Sequence, residues 1–371
     1  MAEPIRVLQV LGRLNRGGAE GMIMNLFRNV DREKVVFDFV IHTNEHCEYT
    51  DEVLALGGRI YSAPRYDVKN HFAYKKWWNS FFREHPEYKV IHGHMYSIAS
   101  IYLKIAKKYG LKTISHSHTS SQKAGFPGIV KRVIQFPLRN IPDWLFACSD
   151  NAGRWLYGEN VGKRGNYILL KNAVDSPKYI HSPETDEKIR KELGTENRFV
   201  VGHIGRMFPA KNHPYILEVF KQYLEIDKNS VLVLVGDGPS RKEIEEKAKA
   251  LGIYEKVVFT GVRSDVNELL QAMDFFVFPS IYEGLPVTVI EAQAAGLPCL
   301  ISDAVTEEVS VTNLVTRLSI KESPAIWAKK IEELKSSSKK ENMSEEISKS
   351  GYDIKTTSQW LQNFYLENEG K

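Results

Sequence analysis

Cysteine is nearly absent from this chain: three residues in 371, Cys47, Cys148 and Cys299, each in or beside an apolar stretch. That spacing excludes a zinc knuckle or a disulfide framework and predicts reduced, buried thiols. No apolar run approaches the roughly 20 residues that a bilayer span needs. The first residues run straight into Ile5-Arg-Val-Leu-Gln-Val-Leu11, a strand pattern rather than a signal peptide, so the expected place of work is the cytoplasm. An excess of charge of one sign is missing too, with 50 Lys and Arg against 46 Asp and Glu. A net charge of +4 and a pI near 8.7 suit an anionic ligand or surface but fall short of a nucleic-acid signature. No Gly-x-Gly-x-x-Gly follows an opening strand, which argues against a dinucleotide dehydrogenase. No Asp-x-Asp pair stands at a strand end to hold a divalent cation, so no metal is expected.

The chain begins twice. Ile5 to Leu11 is followed by Gly12-Arg13, a Gly17-Gly18 loop and a helical run from Ala19 to Asn29; Phe199 to Ile204 is followed by Gly205-Arg206, a loop through Lys211 and a helix from about Pro214. After each start, short β-branched or aromatic runs alternate with longer helical patterns, which predicts an α/β protein with two doubly wound parallel sheets. The first domain is expected over residues 1–180 and the second over 181–354, with a final helix within 355–371. The polar stretch Asp175 to Asn197 reads as the linker. Ligands of such sheets bind outside the carboxyl ends of the strands, so two Rossmann-like domains would face an interdomain cleft.

Those strand ends carry phosphate chemistry in the second half. Gly205-Arg206 through Lys211 sets a planar guanidinium and a point charge on one turn. Gly236-Asp237-Gly238 is a tight turn that lets backbone approach a ligand. Thr260-Gly-Val262-Arg263 ends the next strand. After Asp274 to Ser280, Glu283-Gly284-Leu285-Pro286 forms a loop that opens into a helix from Val287, with Pro286 at an early helical position and Glu291 about two turns along. The free N–H groups of that first turn would hold a diphosphate.

This four-part set, in this order and spacing, resembles the retaining nucleotide-sugar glycosyltransferases of the GT-B fold, above all bacterial enzymes of exopolysaccharide and capsule assembly. The likeness spans essentially the whole chain, from the Gly17-Gly18 loop to the last helix, which in that fold crosses back to the first domain. It implies that Arg206 and Lys211 neutralise the departing diphosphate, helped by the backbone of Gly205, Gly236 and Gly284 to Val287. Glu291 would grip the ribose, Glu283 the donor sugar, and Val262-Arg263 would line the base. Gly17 and Gly18 would let acceptor and donor phosphate approach backbone. The nucleotide sugar would be a co-substrate, expected to be a UDP-sugar, with no separate cofactor. The acceptor would be a saccharide, expected to be polyprenyl-diphosphate-linked. Alternatives are a nucleotide-sugar epimerase on the same architecture and a non-catalytic two-domain sugar-binding protein.

Four histidines, His92, His94, His116 and His118, lie near two strand ends of the first half. His-x-His pairs can bind metal, but no cysteine or carboxylate stands at short range. The resemblance favours His118 as the histidine that hydrogen-bonds the donor sugar, with His116 two residues away as the alternative. Tyr74, Trp77, Trp78 and Phe81 share a helical face and are expected in the core. Between His118 and Asp143 no acidic residue occurs, while Lys123, Lys131, Arg132 and Arg139 accompany apolar residues, a pattern able to dock on an anionic membrane surface. One departure stands out: Ala304 to Val309 replaces the glycine-rich stretch usual in the family.

Overall fold

A computed structural model describes residues 3–96, 98–118, 134–335 and 340–369. They form two compact units, one of residues 1–173 with 354–371 and one of residues 174–353.

The first unit is built on a seven-stranded sheet: Ile5–Val10 (β1), Val35–Ile41 (β2), Ile60–Ser62 (β3), Val90–Gly93 (β4), Lys112–Ser117 (β5), Trp144–Ala147 (β6) and Tyr167–Leu169 (β7). The spatial order is β3-β2-β1-β4-β5-β6-β7 and every pairing is parallel. Parallel strands are covered on both faces, and β2 shows it: all of Val-Val-Phe-Asp-Phe-Val-Ile is buried. The chain winds outward from β1 through β2 and β3, then returns to place β4 on the other side of β1. That reversal opens a crevice at the carboxyl ends of β1 and β4. Tyr74 and Trp78, fully buried, and Phe81 lie in the core on one face of the helix His71–Glu84 as expected, while Trp77 packs against it partly buried.

The closing helix, Ile354–Asn368, belongs to this first unit. Its Leu361, Phe364 and Tyr365 join the cluster of Phe27, Phe37 and Phe146, and the Tyr365 ring meets Phe37 edge-on at 5.8 Å. Gln362 accepts the Asp31 N–H at 2.7 Å.

The second unit carries Phe199–Ile204 (β8), Ser230–Val235 (β9), Val257–Gly261 (β10), Phe275–Phe278 (β11), Cys299–Ser302 (β12) and Val315–Leu318 (β13), ordered β10-β9-β8-β11-β12-β13. Its winding reverses between β8 and β11. Both sheets therefore follow the doubly wound plan that the alternation of strand and helix patterns predicts. The edge strands β3, β7 and β13 go unnoticed in the sequence because each has only a few residues.

Two sequence expectations need correction. The unit boundary lies between Ala173 and Val174 rather than after residue 180, because the Val174 N–H bonds to the Tyr352 carbonyl at 2.8 Å. The supposed linker is folded: Ser182 caps a helix over Pro183–Leu193 that Gly194 ends in a left-handed conformation (φ 64°). Its Arg190 pairs with Asp274 at 2.7 Å just before β11, so the charges that suggest a linker are ion-pair partners. The three cysteines are free and buried.

Away from the carboxyl ends of the strands, Asp38 in β2 is fully buried and takes four donors: Arg6 Nε and Nη2 at 2.6 Å each, the Arg59 N–H at 2.7 Å and the Tyr88 hydroxyl at 2.7 Å. Removing one partner of such a pair strands the other. Asp38→Ala is expected to cost about 3–5 kcal/mol in denaturant unfolding, and a loss under 1 kcal/mol would refute that role.

Candidate functional site

The carboxyl end of the second sheet is tied together by main chain. The Gly205 N–H bonds to the Val235 carbonyl at 3.0 Å and the Met207 N–H to that of Asp237 at 3.0 Å. The Gly236 N–H bonds to the Gly261 carbonyl at 2.8 Å. Gly236 sits at φ 128°, and a Cβ there would lie 2.3 Å from the Gly205 carbonyl oxygen. Only glycine lets these two turns touch backbone to backbone. The loop after β8 is joined to the loop after β11 by the Ile281 N–H to the Ala210 carbonyl at 2.8 Å and by Asn212 Nδ2 to the Pro279 carbonyl at 3.2 Å. Arg206, Lys211 and Glu283 thus project from one knitted platform.

On it, Lys211 Nζ stands 2.7 Å from Glu283 Oε1, an ion-pair distance without the angles of a hydrogen bond, and 4.7 Å from the centre of the Phe278 ring. Both side chains are mostly buried, at 19% and 15% exposure, so the pair is screened less than a surface one. The Lys211 stem lies against Gly205, where a Cβ would fall 3.3 Å from its Cδ and Cε. Arg206 is exposed and has no ion-pair partner among the described residues.

The helix after Glu283 runs over Val287–Ala294, with Pro286 as its N-cap in extended backbone (φ −75°, ψ 98°) rather than inside its first turn. No side chain caps it and the Val289 N–H turns back to the Pro286 carbonyl at 3.1 Å, which leaves the Val287 and Thr288 N–H groups for an anion. Around this loop Ser280 Oγ, Glu283 Oε1 and Thr288 Oγ1 are buried and have no hydrogen-bond partner among the described residues. The two hydroxyls cost free energy unless a ligand satisfies them, whereas Glu283 Oε1 still faces Lys211. Leu285 points into the core of this unit. Glu291 accepts the Tyr179 hydroxyl at 2.9 Å, and burial pushes its carboxyl up from the ordinary value. Arg263 is committed to Asp265, at 2.8 Å through Nε, and to Glu192, which leaves exposed Val262 and the backbone to meet a ligand.

In the first unit, Gly17 is the N-cap of the helix Gly18–Asn29, and the Glu20 carboxylate fills the place where a Gly17 Cβ would be. Gly18 has open space around it. The four histidines come together at the ends of β4 and β5. His94 Nδ1 is 2.9 Å from His118 Nε2, and His92 Nε2 is 3.2 Å from His116 Nδ1. His116 is enclosed, whereas His118 keeps some exposure. Burial holds all four below the ordinary histidine range, His118 down to about 3.

Of the basic segment, Lys123, Lys131 and Arg132 lie outside the described residues. Arg139 stacks its guanidinium 4.8 Å from the ring of Phe136, which is 60% exposed. Where Ala304 to Val309 replaces the usual glycine-rich stretch, Gln293 donates to the Val309 carbonyl at 2.7 Å and accepts the Val311 and Thr312 N–H groups.

Sequence reading missed Tyr179 and Thr288, and missed Gln9 and Tyr365, which reach the histidines. Gln9 had a signal: it is the one uncharged polar side chain in the strand pattern Ile5 to Leu11.

Residues 185–352 match the family described as Glycosyl transferases group 1. The putative glycosyltransferase EpsF of Bacillus subtilis is 36% identical over 372 residues, covering 97% of this chain and 96% of that protein. The capsular polysaccharide biosynthesis glycosyltransferase CapH of Staphylococcus aureus is 25% identical, covering 98% and 99%. An Escherichia coli UDP-Gal:alpha-D-GlcNAc-diphosphoundecaprenol alpha-1,3-galactosyltransferase is 34% identical over 36% of each chain. Among solved structures, Anabaena Alr3699/HepE in complex with UDP and glucose matches with a TM-score of 0.79 at 19% identity, covering 98% of this chain and 99% of that one.

The desolvated Glu291 gives this unit a pH dependence. A carboxyl raised on folding is favoured in its protonated form, so its stabilising contribution is present below the unfolded value of 4.5 and is lost as pH rises through the folded one. Glu291→Gln, permanently neutral, should escape that loss. Its stability relative to the parent is expected to improve from pH 4.5 to neutrality, and an unchanged difference across that range would show the carboxyl to be unperturbed.

Proposed function

Because the chain belongs to the group 1 glycosyl transferases, of the GT-B fold, we propose that it is a retaining, metal-independent enzyme. It moves a sugar from a UDP-sugar to a lipid-linked saccharide in exopolysaccharide or capsule assembly. The relatives' names support the pathway class, and the galactosyltransferase, named for a diphosphoundecaprenol-linked acceptor, supports the lipid carrier.

One observation carries the reading: at the β8/β11 crevice, an unpartnered Arg206, the Lys211–Glu283 pair and an uncapped helix start share one backbone-tied platform. A diphosphate there meets two cations and open N–H groups, which can stand in for a divalent ion. By drawing Lys211 to itself it releases Glu283 to hold the sugar's hydroxyls. Glu291, already accepting from Tyr179, keeps a second oxygen for the ribose. The anomeric C–O bond to phosphate breaks and a C–O bond to the acceptor oxygen forms on the same face. The acceptor's proton passes to the departing phosphate. The family resemblance gives His118 the role of hydrogen-bonding a donor-sugar hydroxyl, and Gly17 and Gly18 that of letting acceptor and phosphate approach backbone. Arg139 and exposed Phe136 face the membrane that carries the acceptor; among the described residues no helix is long and apolar enough to cross one.

Thermal shift with UDP, and transfer from a UDP-sugar to a saccharide lipid with and without chelator, test this. UDP at about 100 times its Kd should stabilise by roughly 2.7 kcal/mol. Arg206→Ala should weaken UDP binding about tenfold or more, which corresponds to 1.4 kcal/mol. Glu283→Gln should lower turnover on the order of 100-fold while UDP binds nearly as before. Chelator should leave transfer intact. Strict dependence on manganese or magnesium, or normal UDP affinity in Arg206→Ala, would overturn the diphosphate site, and donor turnover without acceptor would point to an epimerase.

A further inference from the structure

The four histidines spend six of their eight ring nitrogens within one chain of contacts. His118 Nε2 meets His94 Nδ1 at 2.9 Å, and His94 Nε2 meets Gln9 Oε1 at 2.8 Å. Gln9 Nε2 meets the Tyr365 hydroxyl at 3.3 Å, that hydroxyl meets His92 Nδ1 at 2.7 Å, and His92 Nε2 meets His116 Nδ1 at 3.2 Å. The two nitrogens left over, His116 Nε2 and His118 Nδ1, are buried and have no partner among the described residues.

A neutral imidazole has one N–H and one bare nitrogen, so each contact settles the next. Gln9 Oε1 can only accept, which makes His94 Nε2 the donor and His94 Nδ1 bare. His118 must then donate from Nε2, leaving its Nδ1 bare. On the other side the Gln9 amide donates to the Tyr365 oxygen. The Tyr365 hydroxyl donates to His92 Nδ1, His92 donates from Nε2, and His116 keeps an unspent Nε2–H. All four rings come out as the same tautomer. Turning the Gln9 amide over would reverse every link and exchange the roles of the two free atoms.

We infer that Gln9 is a positioning residue that sets one polarity along this chain, so that His118 offers a bare Nδ1 as an acceptor, suited to a sugar hydroxyl, while His116 offers an N–H. The sugar as occupant rests on the glycosyltransferase reading; the polarity does not. A metal ion fits the same atoms less well. One ligand nitrogen each of His92, His94 and His116 lies within 4.8 Å of the others, but a cation would require bare nitrogens and would break the bonds that now join them.

Long-range proton–nitrogen correlation spectra of the histidine-labelled full chain at neutral pH read the tautomers directly. All four rings should appear neutral and protonated at Nε2. Gln9→Glu, which can only accept, should keep that form at His94 and His118 but switch His92 and His116 to Nδ1–H, since Tyr365 would then donate to the carboxylate. Gln9→Met should release the lock and mix the tautomers, with kcat falling more than KM for the donor. Mixed tautomers in the parent would overturn the inference even if Gln9→Glu fails to fold. So would stoichiometric zinc binding that shifts His92, His94 and His116 together. Uniform tautomers in a protein that transfers no sugar would uphold the chain and fail only the glycosyltransferase reading.

Discussion

The candidate donor site depends on one steric constraint: the turns after β8 and β9 approach backbone to backbone, with no room for a side chain between Gly205 and Gly236. A methyl group at Gly236 would collide with the Gly205 carbonyl, and its backbone angle is one that side chains resist. Everything charged in the site hangs from this contact. The loop bearing Arg206 and Lys211 starts at Gly205, and the carbonyl of Ala210 in turn holds Ile281, two residues from Glu283. Backbone contacts thus set where the charges stand. That suits binding of a phosphate, where misplacing a donor by an ångström forfeits most of its value.

The charges on that platform are unequally committed. Lys211 has Glu283, whereas Arg206 has no counter-ion among the described residues. An ion pair that is nearly dry returns part of its desolvation cost only while both partners stay together. An anion entering beside Lys211 therefore competes with Glu283 for it, while Arg206 needs no such exchange. On the proposed reading, arrival of phosphate would release a carboxylate, and the hydroxyls of Ser280 and Thr288, without partners among the described residues, add groups that a polar occupant would satisfy.

Much of this was legible in the sequence, for identifiable reasons. Buried parallel strands read as apolar runs, so β2, β9 and β11 stand out, and glycine at strand ends marks where backbone must come close. What escaped notice was long-range. Nothing local in Asp175 to Asn197 says that Arg190 will find Asp274, so a folded helix looked like a linker. Tyr179 is unremarkable until it is seen to hold Glu291 from 112 residues away. Tyr365 lies 273 residues from the histidine it touches. Pairings at such separations have no periodicity to betray them, and a strand of three residues such as β3 or β7 has too little sequence to show one.

The two central strands share a feature that bears on both sites. Gln9 and His203 each occupy the next-to-last position of their strand, β1 and β8, in the middle of apolar neighbours. Both are buried, and both reach across the point where their sheet reverses direction. Gln9 accepts from His94 beyond β4, and His203 donates from Nδ1 to the Val277 carbonyl in β11 at 2.9 Å. A polar side chain inside a parallel sheet costs about 1–3 kcal/mol wherever an atom is left unpaired. His203 does leave one, Nε2, which lies beside Gly205 and the base of the Lys211 loop. An apolar residue would pack there without that cost. Polar groups at the same place in both sheets, each bracing the crevice that the topology opens, indicate that these positions serve the strand ends and not the core.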